Sequence, residues 1–310
     1  MIDQPVADLQ LAEVERPSPG GRGKPRPYVS ESWLRLRENR FGTAAGLLIL
    51  ALAVVAAAAP LLSGLVTHHD PARQDLAAQF LPPGRAGYLL GADELGRDTL
   101  TRLIYGARVS LGIGFLTVAI MLTVGSLVGL SAGHYGGVVD GLLMRLVDVV
   151  LAFPAVFLYI LMAMLFRPSV VTLSVIIASV AWANIARLVR GEVLTLANRD
   201  FMLATRSLGA GNARLMFRHL LPNALPVLIV AASLYVGQVI LIEAALDFLG
   251  LGIQEPTASW GNMLSNSQVY FVHSAWLVVL SGLCIFVTVL ATNIFGNAVR
   301  DAFDPRLRLK

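Results

Sequence analysis

Six stretches of this chain are long enough, and free enough of charge, to form helices that use lipid as their solvent. Residues 43–66, 109–133, 168–186, 220–242 and 274–295 contain no Asp, Glu, Lys or Arg, and 149–166 is a shorter sixth. A helix needs about 20 apolar residues to cross a hydrocarbon core. The turn before 149, with Arg145 and Asp148, can lengthen the short one. The ten-residue alternation of an outer-membrane barrel is absent. Composition agrees: hydrophobic residues are 56% of the 310 and charged residues only 14%, too little charge to cover the surface of a soluble domain of this size. The expected fold class is all-α, a polytopic membrane protein with about six transmembrane helices.

Lys and Arg orient the spans. Arg16, Arg22, Lys24, Arg26, Arg35, Arg37 and Arg40 precede the first. Arg187, Arg190, Arg199, Arg206, Arg214 and Arg218 lie between the fourth and fifth, and Arg300, Arg306, Arg308 and Lys310 follow the sixth. No Lys or Arg occurs between Arg218 and Arg300. The positive-inside rule therefore predicts cytoplasmic termini and a cytoplasmic 187–219 segment. The five arginines of 67–108 on the predicted outer side are accompanied by five acidic residues. The same rule explains the formal charge of +4 without nucleic acid. Cys284 sits alone in an apolar run, where it packs as a small side chain.

The chain thus divides into a disordered cytoplasmic tail (1–30), an interfacial helix with the first membrane anchor (31–66), an extracytoplasmic loop with an interfacial helix (67–108), a core membrane domain (109–299) and a cytoplasmic C-terminal tail (300–310). Trp33, Leu34 and Leu36 among arginines suit a helix on the inner membrane surface. The run AAAAP at 56–60 resembles a signal-peptidase site, but the charged region before it is too long for a signal peptide, so the anchor is read as uncleaved.

Catalytic signatures are missing. GGRGKP at 20–25 lacks the spacing and the Ser/Thr of a phosphate-binding loop, and there is no HExxH and no Cys/His cluster. His68 and His69 beside Asp70 read as a solvated pair rather than metal ligands. Neither catalytic nor metal-binding residues are assigned.

Three segments stand out. In 187–222, Asn198 can cap a helix from Arg199 to Leu208, Gly209 can end it in the left-handed conformation, Asn212 can cap a second helix and Pro222 can limit that one. The result is a helix–turn–helix whose Phe201, Met202, Leu203 and Leu208 either lie back on the membrane domain or dock onto a soluble partner. In 90–114, Asp93 can cap an outer interfacial helix, with Asp93/Arg97 and Asp98/Arg102 as i,i+4 pairs. In 248–264, Gly, Pro and Trp suit an interfacial or re-entrant loop, with Trp260 as an interface anchor. Of the acidic residues near lipid, Glu243 and Asp247 lie at i,i+4 just past the fifth span. There they either line an aqueous path, meeting a peptide's ammonium group, or close a helix end solvated from outside. Asp148 can pair with Arg145, and Pro154 can kink the third span.

RDFMLATRSLGAGNARLMFRHLLPNALP, beginning at Arg199, resembles the EAA loop of permease subunits in binding-protein-dependent ABC importers. Ala204 matches the first alanine, Gly209 the glycine and Leu221-Pro222 the closing Leu-Pro. The departures are Leu203 for the usual glutamate, Thr205 for the second alanine and His219 for the usual isoleucine. LGADELGRDTLTRLIYGARVSLGIG and FLGLGIQEPTASWGNML are similar to runs of the C-type permease subunit of dipeptide, oligopeptide and nickel importers. The resemblance implies a type I ABC importer permease fold in a bacterial inner membrane, paired with a homologous B-type permease. Two ATPase subunits or domains would sit below and an extracytoplasmic binding protein above. ATP and magnesium would be held by the ATPases and no cofactor by this chain. It also implies that Arg199, Asp200, Phe201, Leu203, Ala204, Thr205, Leu208, Gly209, Leu221 and Pro222 form the ATPase-coupling surface. The implied cargo is a dipeptide or oligopeptide, with nickel chelates, glutathione or haem as alternatives. An ATP-independent channel or secondary transporter is the rival from another class. It would be expected to show inverted repeats or mid-bilayer charges, and no clear internal repeat is visible.

Overall fold

A computed structural model of the chain describes residues 36–303, without the side chains of 266–268. The predicted tail 1–30, the first half of the predicted interfacial helix, and Arg306, Arg308 and Lys310 lie outside the described residues.

The described chain is helical, with two isolated β-bridges and no strand. Helix α1 is Arg40–Ala57, followed by α2 at Ala59–Leu62 and a π-turn at Ser63–Thr67. An irregular cap then leads to α3, Thr99–Tyr135. Next come α4 (Gly137–Ala152), α5 (Ala155–Leu165), α6 (Val170–Ala197), α7 (Asp200–Ser207) and α8 (Asn212–Arg214). A π-segment, Leu215–Leu220, leads into α9 (Leu221–Phe248); α10 (Trp260–Val269) and α11 (Ala275–Phe303) complete the chain. Among the described residues five helical segments are long and apolar enough to cross a membrane, or six spans if α4 and α5 form one.

Local chemistry sets the helix starts. Asn39 accepts the Gly42 N–H at 2.9 Å to begin α1, Asp98 accepts that of Thr101 at 2.7 Å to begin α3, and Ser169 accepts that of Thr172 at 3.1 Å to begin α6. Each satisfies an N–H that the first turn leaves without a helical partner.

The third span departs from the sequence reading. It is not one kinked helix over 149–166 but two helices bent by 83°. Phe153 is extended, as the ring of the following proline requires, and Pro154 starts α5 without an N–H to give. With 11 residues, α5 is about 16 Å long, half of a hydrocarbon core.

The broadest packing joins α3 to α6. Gly125, Gly129 and Gly133 form a stripe along one face of α3. A Cβ at Gly129 would stand 2.5 Å from the carbonyl of Ala186, and one at Gly125 2.6 Å from the Ile185 Cβ. Small residues let two backbones approach closely in lipid, where dispersion and polar contacts replace the hydrophobic effect as the force between helices. Around this pair α9 packs on α3 and α11, and α1 on α11.

The start of α1 and the end of α11 share one end of the bundle. Leu36 is buried against Ala298, Val299 and Ala302, so the described part of the predicted interfacial helix rests on α11. Phe303 lines the same hollow as Leu196, Arg199 and Pro222, which puts the 198–222 segment at that end too. The cap 68–98 and the 249–274 segment meet at the other end, where Phe80 contacts the rings of Tyr270 and His273.

Candidate functional site

Two sites come from the three marked segments, one at each end. At the arginine-rich end, α7 is a two-turn helix with Asp200 in its first turn and Arg206 in its last, both favourable to the helix dipole. Its N-cap is Arg199, with no side-chain cap. Asn198, expected to cap it, instead donates from Nδ2 to the Leu194 carbonyl at 3.1 Å and finishes α6. The C-terminus is a Schellman turn. Gly209 has φ +79°; its N–H reaches the Arg206 carbonyl at 2.9 Å, and the Ala210 N–H that of Thr205 at 3.3 Å. The expectation for Gly209 rests on this conformation, which costs glycine no Cβ clash.

The expected choice between lying back and docking is answered residue by residue. Met202 is fully buried, in one apolar cluster with Leu215, Met216 and Leu220. Leu203 is 53% and Leu208 87% exposed, and Phe201, Ala204 and Phe217 are also open. The hydroxyls of Thr205 and Ser207 bond to carbonyls of their own helix, those of Phe201 and Leu203. One side chain seats the helix; the others form an apolar outer face.

The second arm corrects two expectations. Asn212 opens α8 from within, with Gly211 at the N-cap, and its Oδ1 faces His134 Nε2 at the foot of α3, 3.2 Å away. Pro222 does not end the helix. Residues 212–248 run on as one 37-residue span-length segment, with the wider π-turns at 215–220 directly before the proline. Pro222 has no N–H, and its ring would press on the carbonyl four residues earlier; π geometry relieves that crowding. Leu221 is half-buried and Pro222 exposed. Two of the arginines brace α4: Arg190 bonds both Asp140 oxygens at 2.5 and 2.6 Å, and Arg187 reaches Asp148 at 2.6 Å. Asp148 therefore pairs with Arg187, not Arg145.

At the opposite end the second and third motifs fold against each other. No helix forms over 90–98. Asp93 Oδ1 accepts the N–H groups of Leu95 and Arg97, both at 2.9 Å, which closes a tight turn that helical backbone would not allow. Arg97, 1% exposed, bonds Asp93 at 2.7 Å, Glu94 at 3.0 Å and Glu255 at 2.6 and 2.8 Å. Arg102, also buried, lies 3.3 Å from Asp93 and 3.5 Å from Glu255, while Asp98 turns away from it to cap α3. Burial holds the Glu94 carboxyl above its ordinary range, with Asp93 adding to the shift. Trp260 is not an interface anchor: it is 1% exposed and donates from Nε1 to the Leu103 carbonyl at 3.0 Å. Asp247 accepts the Ile253 N–H at 2.6 Å and the Ser259 hydroxyl, and Ser110 donates to Glu243 at 3.2 Å. Glu243 and Asp247, expected either on an aqueous path or at a solvated helix end, are both buried and enclosed by the chain's own residues. His69 packs on Tyr88, and His68 is exposed.

Sequence reasoning missed the glycine stripe, although its GxxxGxxxG spacing is visible in 125–133. It also missed the Arg97–Glu255 bridge, which joins residues 158 positions apart and leaves no local pattern.

Residues 125–309 match the family described as binding-protein-dependent transport system inner membrane component. Residues 28–83 match the N-terminal TM domain of oligopeptide transport permease C. The chain is 43% identical over 285 residues to the di/tripeptide transport system permease protein DppC of Pseudomonas aeruginosa, covering 90% of this chain and 93% of that one. It is 38% identical over 289 residues to the dipeptide transport system permease protein DppC of Haemophilus influenzae, covering 92% and 97%. The oligopeptide transport system permease protein OppC of Bacillus subtilis is 34% identical over 278 residues, with 90% of each chain covered.

Proposed function

Because the chain belongs to the family of binding-protein-dependent transport system inner membrane components, we propose that it is the transmembrane permease subunit of an ABC importer for dipeptides or other short peptides. The relatives' names support the peptide cargo. The chain spans the bacterial inner membrane with both termini in the cytoplasm, beside a homologous B-type permease. Two ATPase subunits or domains dock below and hold ATP and magnesium, and a binding protein delivers peptide from outside. This chain is non-catalytic and binds no cofactor.

The observation that carries the docking role is the split on α7: Met202 buried, Leu203 and Leu208 open. Exposed apolar groups on a fixed, short helix outside the apolar spans suit a groove in a soluble partner. In this reading Phe201, Leu203, Ala204 and Leu208 meet the ATPase, while Arg199 and Asp200 flank the contact. Gly209 and Thr205 shape the turn, and Leu221-Pro222 pass its movement into α9. Gly209→Pro, or deletion of 199–209, should abolish ATPase copurification and peptide uptake while membrane insertion persists. Unchanged uptake would refute the role. A channel, by contrast, would come out of detergent without ATPase or second permease. Measuring which peptides the cognate binding protein retains tests the cargo.

A further inference from the structure

Glu243 and Asp247 sit one helical turn apart near the end of α9, where three parts of the chain meet. From α3, the Ser110 hydroxyl donates to Glu243 Oε1 at 3.2 Å and accepts the Trp260 N–H at 3.2 Å. From the 249–262 loop, Ile253 N–H and Ser259 O–H donate to the two oxygens of Asp247. The fit is close: a Cβ on Gly252 would overlap Asp247 Oδ1. Glu243 is 0% exposed, lies beside Asp247 at i,i+4, and its Oε2 has no donor among the described residues.

Two ionised carboxylates cannot share such a contact. Both are acceptors only, and their repulsion is undamped where water is excluded. A cation could reconcile them, but no Arg, Lys or His forms an ion pair with either among the described residues; the facing groups are Ser110, Ser259 and Asp247 itself. Asp247 already accepts a backbone N–H and a hydroxyl, the pattern of an ionised group. The unpaired oxygen belongs to Glu243.

We propose that Glu243 is a neutral acid whose proton is donated to Asp247, making the pair a clasp that fixes the 249–264 loop to α3 and α9. Glu243 is a positioning residue and not part of a peptide path. Glutamine, which keeps a donor and an acceptor in the same shape, replaces it; leucine removes the donor to Asp247 and the acceptor of the Ser110 hydroxyl.

The first test is infrared difference spectroscopy of the purified, assembled permease complex at neutral pH, wild type against Glu243→Gln. A neutral carboxylic-acid carbonyl band present in wild type and lost in the variant is expected; a wild type without that band overturns the proposal. This arm holds whatever the transported cargo. The second test is uptake and assembly. Glu243→Gln should assemble and transport like wild type, whereas Glu243→Leu should lose about tenfold or more, the scale of an unsatisfied buried group. Loss of assembly or uptake in Glu243→Gln overturns the clasp, and loss confined to peptides with a free amino terminus would return Glu243 to the path.

Discussion

At the arginine-rich end, α7 is seated by one buried side chain, Met202, and leaves Leu203 and Leu208 in the open. At the opposite end, Arg97, Arg102 and Asp247 are buried, and Arg97 alone bonds three carboxylates. Both regions are motif-rich, and both are short of regular helix. The difference lies in where side-chain bonding capacity goes. The proposed docking surface keeps its apolar groups open and fixes only its backbone, here through the Schellman turn at Gly209. A junction meant to hold shape spends its charges inward, where desolvation makes each unmade bond costly.

The sharpest way to break this contrast is to remove the charge at the centre of the junction. Arg97→Ala should cost about 3–5 kcal/mol, because Asp93 and Glu94 stay buried without their shared partner, read as a lowered melting temperature of the purified complex. Lysine should restore only part, since an ammonium cannot serve several carboxylates as a planar fork does. A normal melting temperature would mean the junction does not hold the fold.

The opposite signature is expected at α7. Leu203→Asp with Leu208→Asp should leave the melting temperature of the isolated permease nearly unchanged, within about 0.5 kcal/mol. ATPase binding should weaken by about 2 kcal/mol or more, measured by copurification or titration. A stability loss as large as that of Arg97→Ala would erase the distinction between the two ends.

Between them, Gly129→Val tests the link. Its added Cβ meets the Ala186 carbonyl at 2.5 Å, so α3 and α6 must separate at a cost of about 1–3 kcal/mol. Uptake should fall while ATPase binding at α7 survives.

The smallest effect is a pH dependence. The folded chain holds the Glu94 proton above its ordinary value of 4.5, whereas the unfolded chain does not. Wild type should therefore match Glu94→Gln below pH 4.5 and fall behind it as pH rises and Glu94 ionises. Melting temperatures across pH should converge towards acid and separate towards neutrality, with the variant higher. Parallel curves would show that burial does not penalise the Glu94 charge.

The spans were legible because lipid imposes one strong constraint on each long apolar stretch between 43 and 295: no charge over a run of about 20. The turn in the 187–222 segment was legible because Gly209 acts locally. Bonds that depend on the chain returning to itself were not. The Asp93/Arg97 pair was legible from its spacing, but nothing near Arg97 announces Glu255, and the turn that Asp93 closes read as a helix cap. Trp260 read as an interface residue because aromatic rings at span ends usually are, until Gly106 and Leu103 proved to enclose it. The 83° break was half legible: Pro154 foretold a disturbance, but the size of the bend is set by packing against α6.

The uninterrupted run of α3 has a mechanical consequence. Its 37 residues make a rod of about 55 Å, nearly twice the hydrocarbon thickness, with the Asn212 contact at its foot and the Ser110–Glu243 contact near its head. A tilt of about 5° about one end carries the other some 5 Å, roughly one helical turn. A displacement applied at one end of such a strut would reach the other by stiffness alone, and the glycine stripe is where it lies closest against α6.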